Sequence, residues 1–130
     1  MTQPKTEKIF LIINKYAGHG KGEKAVKSVV PFLKSQDYTV EYSYTNHPGH
    51  ATELATKASA NGFDLVVAVG GDGTVNEVAQ GLIGTSTKMG IVPMGSGNGL
   101  ARELGISMNM LKSARTLISG VNLQLDVCKL

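Results

Sequence analysis

Short apolar runs alternate with amphipathic stretches along most of the chain. Residues 9–13 and 65–69 are continuously apolar, which is typical of strands buried on both faces of a sheet. Residues 38–44 are rich in Tyr, Thr and Val and predict another strand, as do residues 89–93. Residues 122–130 alternate again and predict a last strand.

Apolar positions at helical spacing predict helices between these strands. The predicted helices span residues 23–35, 49–61, 75–83 and 111–118, with another through residues 100–104. Pro31 should kink the first helix or make its middle irregular, whereas Gly62 and Gly84 are typical helix stops. Strands that alternate with helices over short connections predict an α/β fold, an open and mostly parallel sheet with helices on both faces.

Polar, glycine-rich segments follow the predicted strands and do not precede them. They occupy residues 14–22, 45–50, 70–74 and 95–98. In open α/β sheets, ligands bind in the crevice beyond the carboxyl ends of the strands. We therefore expect four segments that are far apart in sequence to meet at one rim of the sheet.

Composition narrows the class of protein. A chain of 130 residues, 42% of them hydrophobic and only 5% aromatic, fits one domain with an aliphatic core. The net charge of +3 without a run of Lys or Arg gives little support for a nucleic-acid partner. The single Cys128 excludes an intramolecular disulfide, and no apolar segment approaches transmembrane length. We expect a cytoplasmic domain.

The segment at residues 70–74, Gly-Gly-Asp-Gly-Thr, interrupts an apolar strand and precedes a predicted helix. Glycines let backbone amides crowd around an anion, and a helix N-terminus adds unpaired donors and positive partial charge. A carboxylate at Asp72 would repel a bare phosphate, so it indicates an intervening cation or a facing hydroxyl. The chain contains neither G-x-x-x-x-G-K-[ST] nor G-x-G-x-x-G, so this is a different solution to phosphate binding.

Four motifs in order resemble the diacylglycerol kinase catalytic-domain family, which includes bacterial lipid kinases and sphingosine kinases. They are NKYAG at residues 14–18, TNHPGHA at 45–51, GGDGTVNEV at 70–78 and PMGSGNGLAR at 93–102. Two residues depart from the family pattern. Lys15 stands where the family usually has Pro and adds a cation that could reach phosphate, and Gly99 stands where Asp is common.

The resemblance implies an ATP-dependent lipid kinase that uses Mg²⁺ and transfers the γ-phosphoryl group to a lipid hydroxyl. It implies that Asp72 is the catalytic residue or the metal ligand, as a proton acceptor or as a holder of Mg²⁺, and the sequence does not choose between these roles. The implied nucleotide-binding residues follow four predicted strands and are Asn14, Thr45, Gly70, Gly71, Gly73, Thr74, Gly95, Ser96, Gly97 and Asn98. Arg102 is a weaker candidate for a phosphate contact.

Members of this family usually carry a second, β-rich domain that supplies the lipid site. We therefore expect residues 1–121 to form the ATP-binding α/β domain and residues 122–130 to begin a truncated C-terminal domain. The expected partners are ATP and, through the missing domain, a lipid alcohol at a membrane surface, with peripheral membrane contact of the full-length protein. The sequence predicts no nucleic acid and no transmembrane segment, and it leaves the oligomeric state open.

Simpler interpretations of the same residues stay open. Residues 70–73 could form a plain strand-to-helix turn in which Asp72 or Thr74 is the N-cap. Glu77 could stabilise a helix dipole as well as touch a ligand, and Arg102 could be a solvated helix residue. His19, His47 and His50 lack the spacing typical of metal ligands, although His50 could support its helix. A non-catalytic nucleotide-binding module and a kinase of a soluble substrate such as NAD are the alternative functions.

Overall fold

The computed structural model describes residues 7–15 and 21–93 of the chain. Strands and helices alternate throughout these residues, in the order β1 Lys8–Asn14, α1 Lys21–Ser35, β2 Thr39–Thr45, α2 His50–Ala60, β3 Leu65–Gly70, α3 Asp72–Leu82 and β4 Lys88–Pro93. The helices predicted over residues 100–104 and 111–118, the strand predicted over 122–130, and Cys128 lie outside the described residues.

The four described strands form one parallel sheet in the order β2-β1-β3-β4. The predicted α/β class with a parallel sheet is therefore confirmed. β1 is paired on both sides, which explains why its apolar run is continuous and does not alternate. All six residues of β3 are buried for the same reason.

Helices cover both faces of this sheet. On one face, Ala25, Val29 and Leu33 of α1 pack against alternate residues of β1 and β3. On the other face, apolar residues of α2 and α3, among them Ala55 and Val78, pack against the intervening strand positions. The period of two in each strand thus divides the core into two layers, one beneath α1 and one beneath the α2–α3 pair.

The two helices that share a face contact each other closely. The hydroxyl of Thr52 donates to the main-chain oxygen of Glu77 at 2.8 Å, and the hydroxyl of Thr56 donates to that of Gly81 at 3.1 Å. Thr52 and Thr56 are four residues apart on α2, and Glu77 and Gly81 are four residues apart on α3. The two hydrogen bonds therefore repeat along one line of contact between the helices. Gly81 lies at this crossing and lets the backbones of α2 and α3 approach each other.

Two helix starts differ from the prediction by more than one residue. α3 begins at Asp72 and not at Val75, because the N–H of Val75 already donates to the main-chain oxygen of Gly71 at 3.1 Å. The segment Asp-Gly-Thr therefore forms the first helical turn and is not a loop that precedes it.

α1 begins at Lys21, two residues before the predicted start, and continues past Pro31 to Ser35. Pro31 is exposed, so its ring meets solvent and not the core. It has no N–H to donate to the oxygen one turn earlier, which costs α1 one internal hydrogen bond. Within residues 7–15 and 21–93, none of the helices combines the length and the apolar character needed to cross a bilayer.

We expect Gly81→Ala to destabilise the protein. A Cβ at position 81 would lie 2.5 Å from the main-chain oxygen of Thr52 and 2.8 Å from Cβ of Ala55, so α2 and α3 would have to separate. Overpacking of this kind costs about 1–3 kcal/mol. Urea denaturation would measure the free energy of unfolding, with Gln80→Ala at the neighbouring exposed position as the control. A gain of about 1 kcal/mol, the helix-propensity difference between Gly and Ala, would show that the crossing is not tight.

Candidate functional site

The carboxyl ends of the strands bring the sequence motifs into one row. Asn14, the last residue of β1, pairs in register with Thr45, the last residue of β2. Gly70, the last residue of β3, pairs with Pro93, the last residue of β4. β1 and β3 are neighbours whose paired residues end at Ile13 and Val69, directly before Asn14 and Gly70.

The crevice opens between β1 and β3. The connection after β1 leads to α1 on one face of the sheet, and the connection after β3 leads to α3 on the other. The chain therefore departs in opposite directions from two adjacent strand ends, and ligands of open α/β proteins bind at such a point. Asn14 and Gly70, both predicted site residues, flank it.

α3 begins at this crevice edge, two residues after the end of β3. Gly71 is the N-cap, in extended backbone, and it makes no side-chain capping hydrogen bond. The interpretation of Asp72 or Thr74 as the N-cap was therefore wrong, since both lie within the first helical turn. Amides in a first turn have no partner within their own helix, and the helix dipole makes this end partially positive.

The glycines of this turn differ in what the fold requires of them. A Cβ at position 70 would lie 2.7 Å from Oγ1 of the buried Thr74 and 3.2 Å from Cβ of Asn14, so the turn itself demands glycine there. A Cβ at Gly71 or Gly73 would meet nothing within 4 Å. Neither has a positive φ, so no contact or backbone strain in the described structure explains why these two positions are glycine.

A cavity of about 350 Å³ lies beside the α3 N-terminus. Its lining comes from three separate segments of the chain and consists of Asn14, Thr45, Asn46, His47, Pro48, Ala51, Gly73, Thr74 and Glu77. The structure thus brings together the predicted site residues Asn14, Thr45, Gly73 and Thr74. Gly70, Gly71 and Asp72 adjoin this group in the chain, and Asp72 is exposed.

Gly95, Ser96, Gly97, Asn98 and Arg102 lie outside the described residues. Sequence reasoning did not single out the lining residues Asn46, Pro48 and Ala51, although they belong to the motif at residues 45–51 that carries the family resemblance. That motif was the signal that could have identified them.

The β2–α2 loop is held by hydrogen bonds from neighbouring residues. The N–H of Asn46 donates to Nδ1 of His50 at 3.1 Å, and the ring of His47 stacks on that of His50 with centroids 4.5 Å apart. His50 therefore supports the start of α2, as its position in the sequence suggested. Gly49, with φ of 84°, is the N-cap of α2 and has no side-chain cap of its own.

One cluster of potential metal ligands lies on this loop. Ligand atoms of His47, His50 and Glu53 fall within 4.8 Å of one another. The two imidazole planes are only 14° apart and are stacked, so their in-plane lone pairs lie in separate, nearly parallel planes and do not converge on one ion. Nδ1 of His50 also accepts the Asn46 N–H, which leaves the proton of a neutral ring on Nε2. The geometry favours loop support over metal binding.

Tyr44 precedes Thr45 at the edge of the site. Its ring packs edge-on against Tyr42, with centroids 6.0 Å apart. Burial is the main cause that raises the pKa of Tyr44 above its ordinary value, and the nearby Tyr42 and Glu23 add to it. Tyr44 is therefore a neutral phenol at physiological pH and adds no charge to this edge.

Comparison with known proteins gives the same family from sequence and from structure. The sequence profile of the diacylglycerol kinase catalytic domain matches residues 8–130. The chain is 36% identical over 120 residues to a diacylglycerol kinase of Bacillus subtilis, with 90% of this chain and 40% of that protein covered. It is 29% identical over 132 residues to sphingosine kinase B of Dictyostelium discoideum, covering 96% of this chain and 17% of that one.

A solved structure shares the fold. The crystal structure of a diacylglycerol kinase from Bacillus anthracis superposes with a TM-score of 0.76 at 31% identity, over 89% of this chain and 40% of that chain. The chain thus spans about two fifths of the length of these bacterial relatives.

We expect Gly70, at the end of β3, and Gly73, in the first turn of α3, to respond differently to alanine. Gly70→Ala should cost about 1–3 kcal/mol of unfolding free energy, because the new methyl group displaces Thr74 and the first turn with it. Gly73→Ala has open space and a helical backbone, so its stability should stay within about 1 kcal/mol of the parent. Parallel urea titrations would measure both, and equal losses would contradict the steric difference.

Proposed function

The chain belongs to the diacylglycerol kinase catalytic-domain family, and from that membership we propose that it is the nucleotide-binding half of an ATP-dependent lipid kinase. The proposed reaction transfers the γ-phosphoryl group of ATP to a lipid hydroxyl. The observation that carries the proposal is the cavity in which Asn14, Thr45 and the first turn of α3 meet. Phosphoryl transfer depends mainly on positioning and charge stabilisation, and a helix N-terminus at a sheet edge supplies both.

The proposed phosphate contacts are main-chain amides of α3. Gly71, Gly73 and Thr74 contribute them, and the open space beside Gly71 and Gly73 supports close approach of a ligand to the backbone. Asn14 and Thr45 would form the opposite wall. Gly70 has a structural role, because the absence of a side chain there lets Thr74 pack against the end of β3.

We assign the remaining nucleotide contacts to Gly95, Ser96, Gly97 and Asn98. Their segment follows β4, whose last residue Pro93 pairs with Gly70. The segment therefore starts from the same row of strand ends as the α3 turn. This assignment rests on the family motif and on that starting point.

Asp72 fits the proposed metal. It is exposed in the first turn of α3 and offers the hard anionic oxygen that Mg²⁺ prefers. When bound, ATP would supply the phosphoryl group and Mg²⁺ would offset its negative charge. Asp72 would hold the ion, directly or through water, or accept the proton of the lipid hydroxyl.

The substrate class follows from the relatives. They include a diacylglycerol kinase and a sphingosine kinase, so a lipid alcohol is the shared chemistry. We propose that residues 1–121 are the ATP-binding domain and that the lipid site lies in a further domain, which residues 122–130 would begin. Contact with a membrane surface would come through that domain.

We expect Mg·ATP to bind this chain at the α3 N-terminus. In a ¹⁵N-edited NMR titration, shift changes should concentrate at residues 70–74 and at Asn14 and Thr45. Gly73→Ala should weaken binding about tenfold, or about 1.4 kcal/mol, because its methyl group fills space meant for phosphate. Gln80→Ala, further along α3, is the control and should leave the affinity unchanged. Unaltered affinity of a folded Gly73→Ala chain would argue against phosphate at this turn.

In the full-length protein, we expect Asp72→Asn to abolish phosphoryl transfer to a lipid alcohol while the fold stays intact. The amide keeps the size of the side chain but cannot accept a proton or hold Mg²⁺ with a negative oxygen. A radiolabelled phosphate-transfer assay would measure activity, and thermal unfolding would check the fold. Glu53→Gln, the same kind of change at an exposed position of α2, is the matched control. Full activity of a folded Asp72→Asn protein would contradict the proposed role of Asp72.

A further inference from the structure

Glu77 joins the two walls of the cavity. Its carboxylate Oε1 accepts the main-chain N–H of Gly49 at 3.1 Å, and its main-chain oxygen accepts the hydroxyl of Thr52 at 2.8 Å. One residue of α3 therefore holds both the N-cap and the first turn of α2. Among the described residues, no other side chain accepts a hydrogen bond from the N–H of Gly49.

The start of α2 depends on this hydrogen bond from a residue of α3. Gly49 has no side chain with which to cap the helix, and its φ of 84° turns the chain sharply into α2. A carboxylate near a helix N-terminus is stabilised by the dipole and by the hydrogen bond to a terminal amide. Glu77, 28 residues away along the chain, supplies that carboxylate from the neighbouring helix.

The same contact adjoins the proposed nucleotide site. Glu77 lies four residues after Gly73, so the two share a face of α3 and both line the cavity. Thr45 at the end of β2 and Asn46 and His47 of the loop that ends at Gly49 form the opposite wall. The spacing between the walls is thus fixed where Glu77 meets Gly49.

We propose that Glu77 is a positioning residue that holds the β2–α2 loop against α3 and so sets the width of the nucleotide cavity. The inference rests on the proposed function, because it concerns the same cavity. Glu77 acts through the Gly49 amide and does not contact the nucleotide. What it supplies is a hydrogen-bond acceptor, and its negative charge is not required for nucleotide binding.

Two substitutions at position 77 separate the acceptor from the charge. Glu77→Gln keeps a carbonyl oxygen that can accept the Gly49 N–H, whereas Glu77→Ala removes the acceptor. Thr52→Val is the matched structural control, because it removes the other hydrogen bond to Glu77 and leaves the Gly49 contact in place. It tests whether nucleotide affinity simply follows the stability of the α2–α3 crossing.

The experiment measures amide hydrogen exchange at Gly49 and the Kd for Mg·ATP in the 130-residue chain. For Glu77→Ala we expect exchange at Gly49 to accelerate at least about tenfold and Kd to rise about tenfold, as loss of a charge-assisted hydrogen bond implies. Glu77→Gln should restore both to within about threefold of the parent, since a neutral acceptor forms a weaker bond than a carboxylate. Thr52→Val should lower the midpoint of thermal unfolding without changing the exchange rate at Gly49 or the Kd for Mg·ATP.

Three results would overturn the proposal. They are unchanged Gly49 exchange in Glu77→Ala, an affinity in Glu77→Gln as weak as in Glu77→Ala, and an equal loss of affinity in Thr52→Val. The second would mean that the charge of Glu77 acts on the ligand or its metal directly. Absence of Mg·ATP binding by the parent chain would count against the proposed function alone, since exchange at Gly49 still reports on the contact.

Discussion

The parallel pairing of β1 with both β2 and β3 is the constraint on which the rest of the structure depends. It places β1 in the interior of the sheet and aligns the ends of neighbouring strands. The chain must then leave β1 and β3 toward opposite faces, because α1 covers one face and α3 the other. The crevice at Asn14 and Gly70 is a consequence of this topology.

The α2–α3 crossing turns that crevice into a walled cavity. Hydroxyl groups of Thr52 and Thr56 bind main-chain oxygens of α3, and Gly81 lets the backbones come close. Since α2 starts directly after the loop that ends at Gly49, the position of α2 against α3 also positions that loop. Packing along the crossing thus brings the start of α2 to α3, where Oε1 of Glu77 accepts the N–H of Gly49.

The start of α3 combines features that architecture alone does not require. The strand end demands glycine at position 70, where Thr74 leaves no space for a side chain. At Gly71 and Gly73 the surroundings are open, yet the chain still has glycine. A carboxylate at Asp72 in the same turn favours the helix end electrostatically, and it also provides a hard oxygen at the strand ends, where ligands of open α/β proteins bind.

The sequence by itself determined the alternation of elements, the parallel α/β class and the edge of the sheet at which the motifs meet. These follow from local periodicity, because a strand buried on both faces reads as a continuous apolar run and a helix repeats its apolar face every three to four residues. It misplaced the start of α3, because Gly71 caps the helix through its backbone and Asp-Gly-Thr carries no strong helix signal. Only the tertiary structure decided that Glu77 binds Gly49 and that Gly81 lies against Thr52, since such contacts depend on how two helices cross, which no local pattern records.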